Sequence, residues 1–336
     1  MNRIFKKIWN KHRGCFVAVS EAMTSASQRA GKATVAVVAS SLLAAPISAA
    51  VINGDANWKD FSFLFHDNST SMPTASTTVN GSLVVPYLGG AGYAVIAFDC
   101  SHGETGRPNQ YLTVTQNMTI NKDVVFATAA HGSGVGGSTG TLTVGGDLIV
   151  NGGLYFSLDR GGETGDVTVN GALRISETGK LAESYFPGNN TNPSVSLKAN
   201  VLDTSGSVSF SSGHGSANFG KVIVRGGSYQ ESSAVSMTIT QGLELLGGTY
   251  VNLNPIVVGQ NVGNYLVLGG GQFSNAPTLT VRNNGSVSVT GGAYSFSTLT
   301  KENGTLSNAS TLSITNFNQS GGSASNRGNL TIGNAN

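Results

Sequence analysis

A Gly-Gly-x-aromatic unit recurs through the second half of the chain and sets the tightest limit on its fold. It reads GGSY ending at Tyr229, GGTY at Tyr250, GGQF at Phe273 and GGAY at Tyr294, in steps of 21, 23 and 21 residues. An earlier GGLY ends at Tyr155, and a decayed GGSA ends at Ala324. Between the glycines the apolar residues alternate, as in SMTITQGLELLGGTY and TLTVRNNGSVSVTGGAY, and upstream in TLTVGGDLIVNGG. A period of two means strands. Two or three short strands per step cannot bury an apolar face alone, so successive units must stack into a continuous core. The expectation is an all-β chain, a right-handed parallel β-helix, preceded by a short helical export segment. Glycine permits positive φ at the corners, and each aromatic stacks on its equivalent one coil further on as core or edge packing. Roughly nine coils from Gly136 onward, about 4.8 Å apart, make a rod of about 40 to 45 Å. Residues 136–336 are read as these repeats, and the less regular 51–135 as a β segment that caps them.

The composition agrees with a strand-rich exported chain. Gly accounts for 46 of 336 residues and charged residues for 11%, but β-branched and aromatic residues recur too regularly for disorder. An apolar run, ATVAVVASSLLAA from Ala33 to Ala45, follows Arg29 and Lys32 and is broken by Pro46. Ser48-Ala49-Ala50 supplies the small residues of a peptidase site, so cleavage is expected between Ala50 and Val51. The run is too short, and too interrupted by Ser40 and Ser41, to serve as a permanent span. Residues 1–32 and 33–50 therefore form a leader and a Sec signal.

Seven of the 19 basic residues and one of the 17 acidic residues precede the apolar run, which leaves twelve basic against sixteen acidic after it. The mature part lacks the positive field that nucleic acid requires, and nucleic acid is excluded as a partner. Cys15 lies in the export segment, so Cys100 stands alone after cleavage and no intramolecular disulfide forms. It is read as a small buried hydrophobe.

The stretch MNRIFKKIWNKHRGCFVAVSEAMTSASQRAGK resembles the extended signal peptide region of type V secretion proteins, the autotransporters and their relatives in Gram-negative bacteria. The positions that carry the resemblance are Met1, Asn2, Ile4, Ile8, Trp9, Asn10, Gly14, Val17, Val19, Ser20, Glu21, Gly31 and Lys32. The resemblance implies that this region modulates passage through the Sec translocon, and that the remainder is a β-helical passenger placed at the cell surface, in the outer membrane or outside the cell. It further implies a translocator barrel of about a dozen strands. The chain ends at GNLTIGNAN without one, so the expectation is the front of an autotransporter, with repeats incomplete at the C-terminus. A two-partner exoprotein and a degenerate truncated passenger are the alternatives; the NPNL and NPNGI motifs of two-partner passengers are absent. Adhesion to a host cell or to other copies is the activity that the family suggests.

Enzymatic motifs are weak. Gly132-x-Gly134-x-x-Gly137 and GSANFGK from Gly215 to Lys221 are followed by strand patterns where phosphate binding needs a helix. Gly136-Gly137-Ser138-Thr139-Gly140 matches a nucleophile elbow but lies in a Gly/Ser loop. GGETGD, Gly161 to Asp166, occurs once where a calcium array needs many copies. Some autotransporter passengers are chymotrypsin-like proteases, and VING at Val51, TAAH at His131 and DTSGS around Ser205 are reminiscent of them. However, DTSGS carries Thr204 as an extra residue, and His131 and Ser205 are too close in sequence for a two-barrel domain. His66, His102 and His214 show no metal-ligand spacing. The expectation is no catalytic residue, cofactor or metal.

Overall fold

The computed structural model describes residues 5–10, 15–20, 50–57, 77–86, 94–97, 110–127, 140–156, 164–182, 194–210, 215–231, 236–252 and 255–336. The chain divides into two compact units, Met1–Ser48 and Ala49–Asn336. In the first, Phe5–Asn10 and Cys15–Ser20 pair as an antiparallel hairpin, with Ile8 opposite Val17 and Trp9 opposite Phe16. The helical export segment expected from the sequence is thus replaced here by strands. FKKIWN and CFVAVS are rich in aromatic and β-branched residues, which fit a pleated ribbon better than a helix. The apolar run from Ala33 to Ala45 lies outside the described residues.

The second unit is a parallel β-helix with three faces. Its strands pair in parallel, each with its counterpart one coil away. The first face begins with Ala50–Asn53, Thr77–Asn80, Gln110–Val114 and Gly140–Val144. The second begins with Ala56–Asn57, Leu83–Val85, Met118–Ile120 and Leu148–Val150. In the next four coils these two faces fuse into the long strands Thr164–Ile175, Ser194–Thr204, Ser216–Val224 and Ser236–Leu245, with bulges at the corner. The second face continues through Tyr265–Leu268, Ser286–Val289, Thr305–Asn308 and Ser323–Asn326. It has twelve rungs among the described residues. The third runs from Ala94–Ala97 through Gly153–Tyr155, Ser207–Phe210, Ser228–Glu231 and Thr249–Asn252 to Gln272–Phe273. The last coils fuse the third face with the first, in Ala293–Lys301, Thr311–Gln319 and Asn329–Ala335.

Alternation decides what is inside. On the second face Leu83, Met118, Leu148, Leu173, Leu202, Val222, Leu243, Leu266 and Val287 stack in register and are buried. A neighbouring column runs Val150, Ile175, Thr204, Val224, Leu245, Leu268, Val289 and Asn308. Its polar members are satisfied: Thr204 Oγ1 donates to the Gly206 carbonyl at 3.3 Å, and Asn308 Nδ2 donates to Asn326 Oδ1 at 2.7 Å. On the third face the repeated aromatics form the expected ladder. Tyr229 and Tyr250 are fully buried and stacked at 5.0 Å, Phe273 meets Tyr250 edge-on at 5.8 Å, and Tyr294 lies 5.9 Å from Phe273.

Two corners use different chemistry. Between the second and third faces sit the Gly-Gly pairs, with Gly227, Gly248 and Gly292 at φ 60°, 67° and 73°. Between the first and second faces Asx side chains brace the next coil: Asp55 Oδ1 accepts from Ser82 N, Asn117 Oδ1 from Asp147 N, and Asp147 Oδ1 from Ala172 N, each at 2.8 Å. GGSA belongs to this second kind of corner, because Ser323–Asn326 is a second-face strand. It is therefore not a decayed copy of the aromatic unit. The helix also extends through the segment read as a cap. Thr77–Asn80, Leu83–Val85 and Ala94–Ala97 join the same three faces in parallel register. There the equivalent residues Leu83 and Met118 are 35 positions apart, and the long connections conceal the period.

Candidate interaction surface

The outward positions of the first face form two columns. One reads Thr78, Thr113, Thr143, Thr168, Lys198, Asn218 and Thr238, each in register with the next. Beside it stand Tyr111, Thr141, Asp166, Ser196 and Ser216. Where the first face resumes, Thr278 and Thr280 pair with Thr298 and Thr300, and these with Asn316 and Asn318. Asn334 Nδ2 donates to Asn316 Oδ1 at 3.1 Å and Asn336 Nδ2 to Asn318 Oδ1 at 3.3 Å. Threonine is favoured here twice, by its β-branch on a pleated surface and by its hydroxyl toward water. The outcome is a half-exposed sheet of hydroxyls and amides at the strand spacing of about 4.8 Å.

The outside of the second face instead carries a charge ladder. Arg174 Nε lies 3.0 Å from Asp147 Oδ2, and its Nη1 lies 3.4 Å from Asp203 Oδ2. Arg225 Nε reaches Asp203 Oδ1 at 2.8 Å. Lys221 Nζ meets Glu244 Oε1 at 2.6 Å. The Ala172 N–H, followed by the Arg174 guanidinium, holds the Asp147 carboxyl below the usual carboxylate range, while burial opposes them. Glu244, with Tyr265 in support, raises the Lys221 ammonium against a smaller effect of burial. These signs alternate and cancel from coil to coil, so the ladder braces the wall and projects little field. Beside it, a shallow groove of about 470 Å³ follows the glycine corner, lined by Gly248, Thr249, Gly270, Gly271, Gln272, Gly292 and Ala293.

The residues singled out in the sequence fall in separate places. Trp9, Ile8, Asn10, Val17, Val19 and Ser20 lie in the hairpin, with Asn10 opposite Cys15, Val19 opposite Lys6 and Ser20 opposite Phe5. Asn2, Ile4, Gly14 and Glu21 lie outside the described residues, as do Cys100, His66, His102, His131 and His214. Ala50 and Val51 open the first strand of the helix opposite Thr77 and Thr78, and Val51 is 58% exposed. Ser205 occupies a corner, its N–H donating to the Ile175 carbonyl at 2.8 Å. GSANFGK runs into strand Ser216–Val224, with Lys221 held by Glu244. Among the described residues no group of three metal-ligating side chains converges.

Residues 1–50 match the family model described as the Extended Signal Peptide of Type V secretion system. The opening 50 residues are thus similar to a type V export segment. No curated protein and no solved structure matches the chain. A type V export segment directs its cargo across the inner membrane of Gram-negative cells through the Sec translocon. In type V secretion generally, an outer-membrane translocator completes the route. The β-helix that follows the type V export segment fits a passenger of that pathway.

Sequence reading missed one cluster. Glu231 is buried inside the third face, two residues beyond Tyr229, where the repeat places an inward side chain in register with buried Phe210. Tyr229 Oη donates to Glu231 Oε1 at 3.2 Å and Tyr250 Oη to the same oxygen at 2.7 Å. Burial pushes the carboxyl upward against these two hydrogen bonds, and it pushes both phenols well up as well. The inward period of two would have flagged an acid at that position.

Proposed function

We propose that the chain is a surface-directed, non-enzymatic passenger that acts as an adhesin, binding host cells or other copies of itself through the first face. The supporting observation is the pair of outward hydroxyl and amide columns on the β-helix behind a type V export segment. Each contact such a face makes is weak and water-competed, but a rigid 4.8 Å repeat presents many at once, so they add as multivalent binding. Signal cleavage after Ala50 leaves Val51 as the first residue of the passenger. The absence of catalytic machinery is part of the same proposal.

The test uses the purified 51–336 segment in cell-adhesion and self-aggregation assays, alongside a variant with Thr143→Lys and Thr168→Lys on the first face. The expected result is adhesion or aggregation by the parent segment, and its loss in the variant with the circular dichroism unchanged. Retained binding in the variant overturns the assignment of this face. Labelling of Ser205 by a fluorophosphonate, abolished by His131→Ala, would replace the adhesin with a protease.

A further inference from the structure

The β-helix interior is aliphatic and aromatic along most of its length, and Glu231 is an exception that needs a reason. An ionised carboxylate in such a place must be matched by cations or several donors, or it takes a proton. Among the described residues the groups placed around it can be named, and Asn252 stands in register with it from the following coil. On its own strand and the next one, Tyr229 and Tyr250 each direct a hydroxyl at Oε1. From the preceding coil, buried Phe210 stands in register with it. From Ser236–Leu245, Met237 brings its sulfur to 2.7 Å from Tyr229 Oη, competing for the proton that this phenol has to give. None of these groups is a cation, and the ion pairs of the charge ladder lie on the outside of the second face.

We propose that Glu231 is a proton-operated latch on the third face, closed when its carboxyl is neutral. In that state Oε1 accepts from the tyrosines and the aromatic stack stays dry. Loss of the proton leaves a buried negative charge held by two phenols, one of them shared with a sulfur. The strands Ser228–Glu231 and Thr249–Asn252 then loosen to admit water. Folding of this coil takes up a proton in the pH interval where the unfolded chain holds Glu231 ionised and the folded chain does not. No further reactant is required: the proton comes from solvent and returns to it.

The sign follows from linkage. Below the ordinary glutamate range both folded and unfolded chains are protonated, and Glu231 costs nothing. As the pH rises past that range the unfolded chain ionises first, so stability declines until the folded carboxyl ionises too, and is level above that. The latch therefore tightens in acid and relaxes toward neutrality. This inference stands on the fold and not on the adhesin reading.

The experiment compares the full-length chain with Glu231→Gln, which keeps the acceptor oxygen and cannot ionise. Thermal unfolding midpoints are followed from about pH 4 to pH 8. The expected result is a midpoint that falls with rising pH in the parent relative to Glu231→Gln, by several degrees across that range, with the two converging in acid. Superimposable profiles overturn the latch, as does a Gln variant that is less stable than the parent at neutral pH. Infrared difference spectra of the parent alone supply a readout that does not depend on the variant's folding. At a pH just above the ordinary carboxylate range, a neutral-carboxyl stretch that vanishes on further alkalinisation supports the latch, and its absence overturns it. Failure of the adhesion assays with these changes present counts against the adhesin reading and leaves the latch standing.

Discussion

Single residues in this molecule are decided by the coil next door. Gly248 sits at φ 67°, and a Cβ there would come within 2.5 Å of the backbone of Gly226. Gly226 itself has no positive φ, and its nearest obstruction is the Ser205 carbonyl at 3.1 Å. Gly248→Ala is therefore expected to cost about 1–3 kcal/mol and Gly226→Ala markedly less, read from denaturant midpoints. Asp147 offers a test in pH. Its lowered folded value means that its contribution is present above its unfolded value and is lost as the pH falls through the folded one. Asp147→Asn should therefore flatten the acid limb of the stability profile below about pH 4. Lys221 has the reverse sign: its raised value keeps its contribution until the pH climbs through the folded value. Glu231 acts in a different window: the Asp147 contribution is lost below the ordinary carboxylate range and the Glu231 penalty grows above it, so together they place a stability maximum between the two.

At the scale of strands and ladders, the repeat was legible where coils are short and obscure where they are long. The aromatic ladder could be read because Tyr229, Tyr250, Phe273 and Tyr294 each follow a glycine pair by a fixed interval and all point inward. The coils before Gly136 escaped notice because their strands of three to five residues are separated by long connections. GGSA misled for a different reason: a glycine pair serves both kinds of corner, and only the residues after it tell which. Glu231 is the harder residue to read, because its type points to the surface while its place in the period is inward. Two substitutions test the ladders. Tyr250→Ala removes a fully buried ring and one donor to Glu231, and should cost about 3–5 kcal/mol. Thr204→Val places a methyl between Ile175 and Val224 and gives up only a 3.3 Å hydrogen bond, so stability should stay level or rise by up to about 1 kcal/mol in chemical denaturation.

At the scale of the whole molecule, the chain divides into its two units between Ser48 and Ala49. Edman sequencing or mass spectrometry of exported material should find Val51 at the N-terminus. On the proposed cleavage Ala50 leaves with the signal while Val51 keeps its place opposite Thr78, so the peptidase is expected to act before that first strand is laid down. The coils that follow are not of one size. Equivalent residues are 35 positions apart between Leu83 and Met118, but 18 apart between Leu306 and Ala324. Closing the shorter loop costs about 0.6 kcal/mol less conformational entropy, and the saving recurs at each tight coil. Pulsed hydrogen exchange during refolding should therefore protect amides in 265–320 ahead of those in 77–127. If so, the gradient in coil length gives the chain a direction of assembly: its tight end serves as the seed on which looser coils are wound.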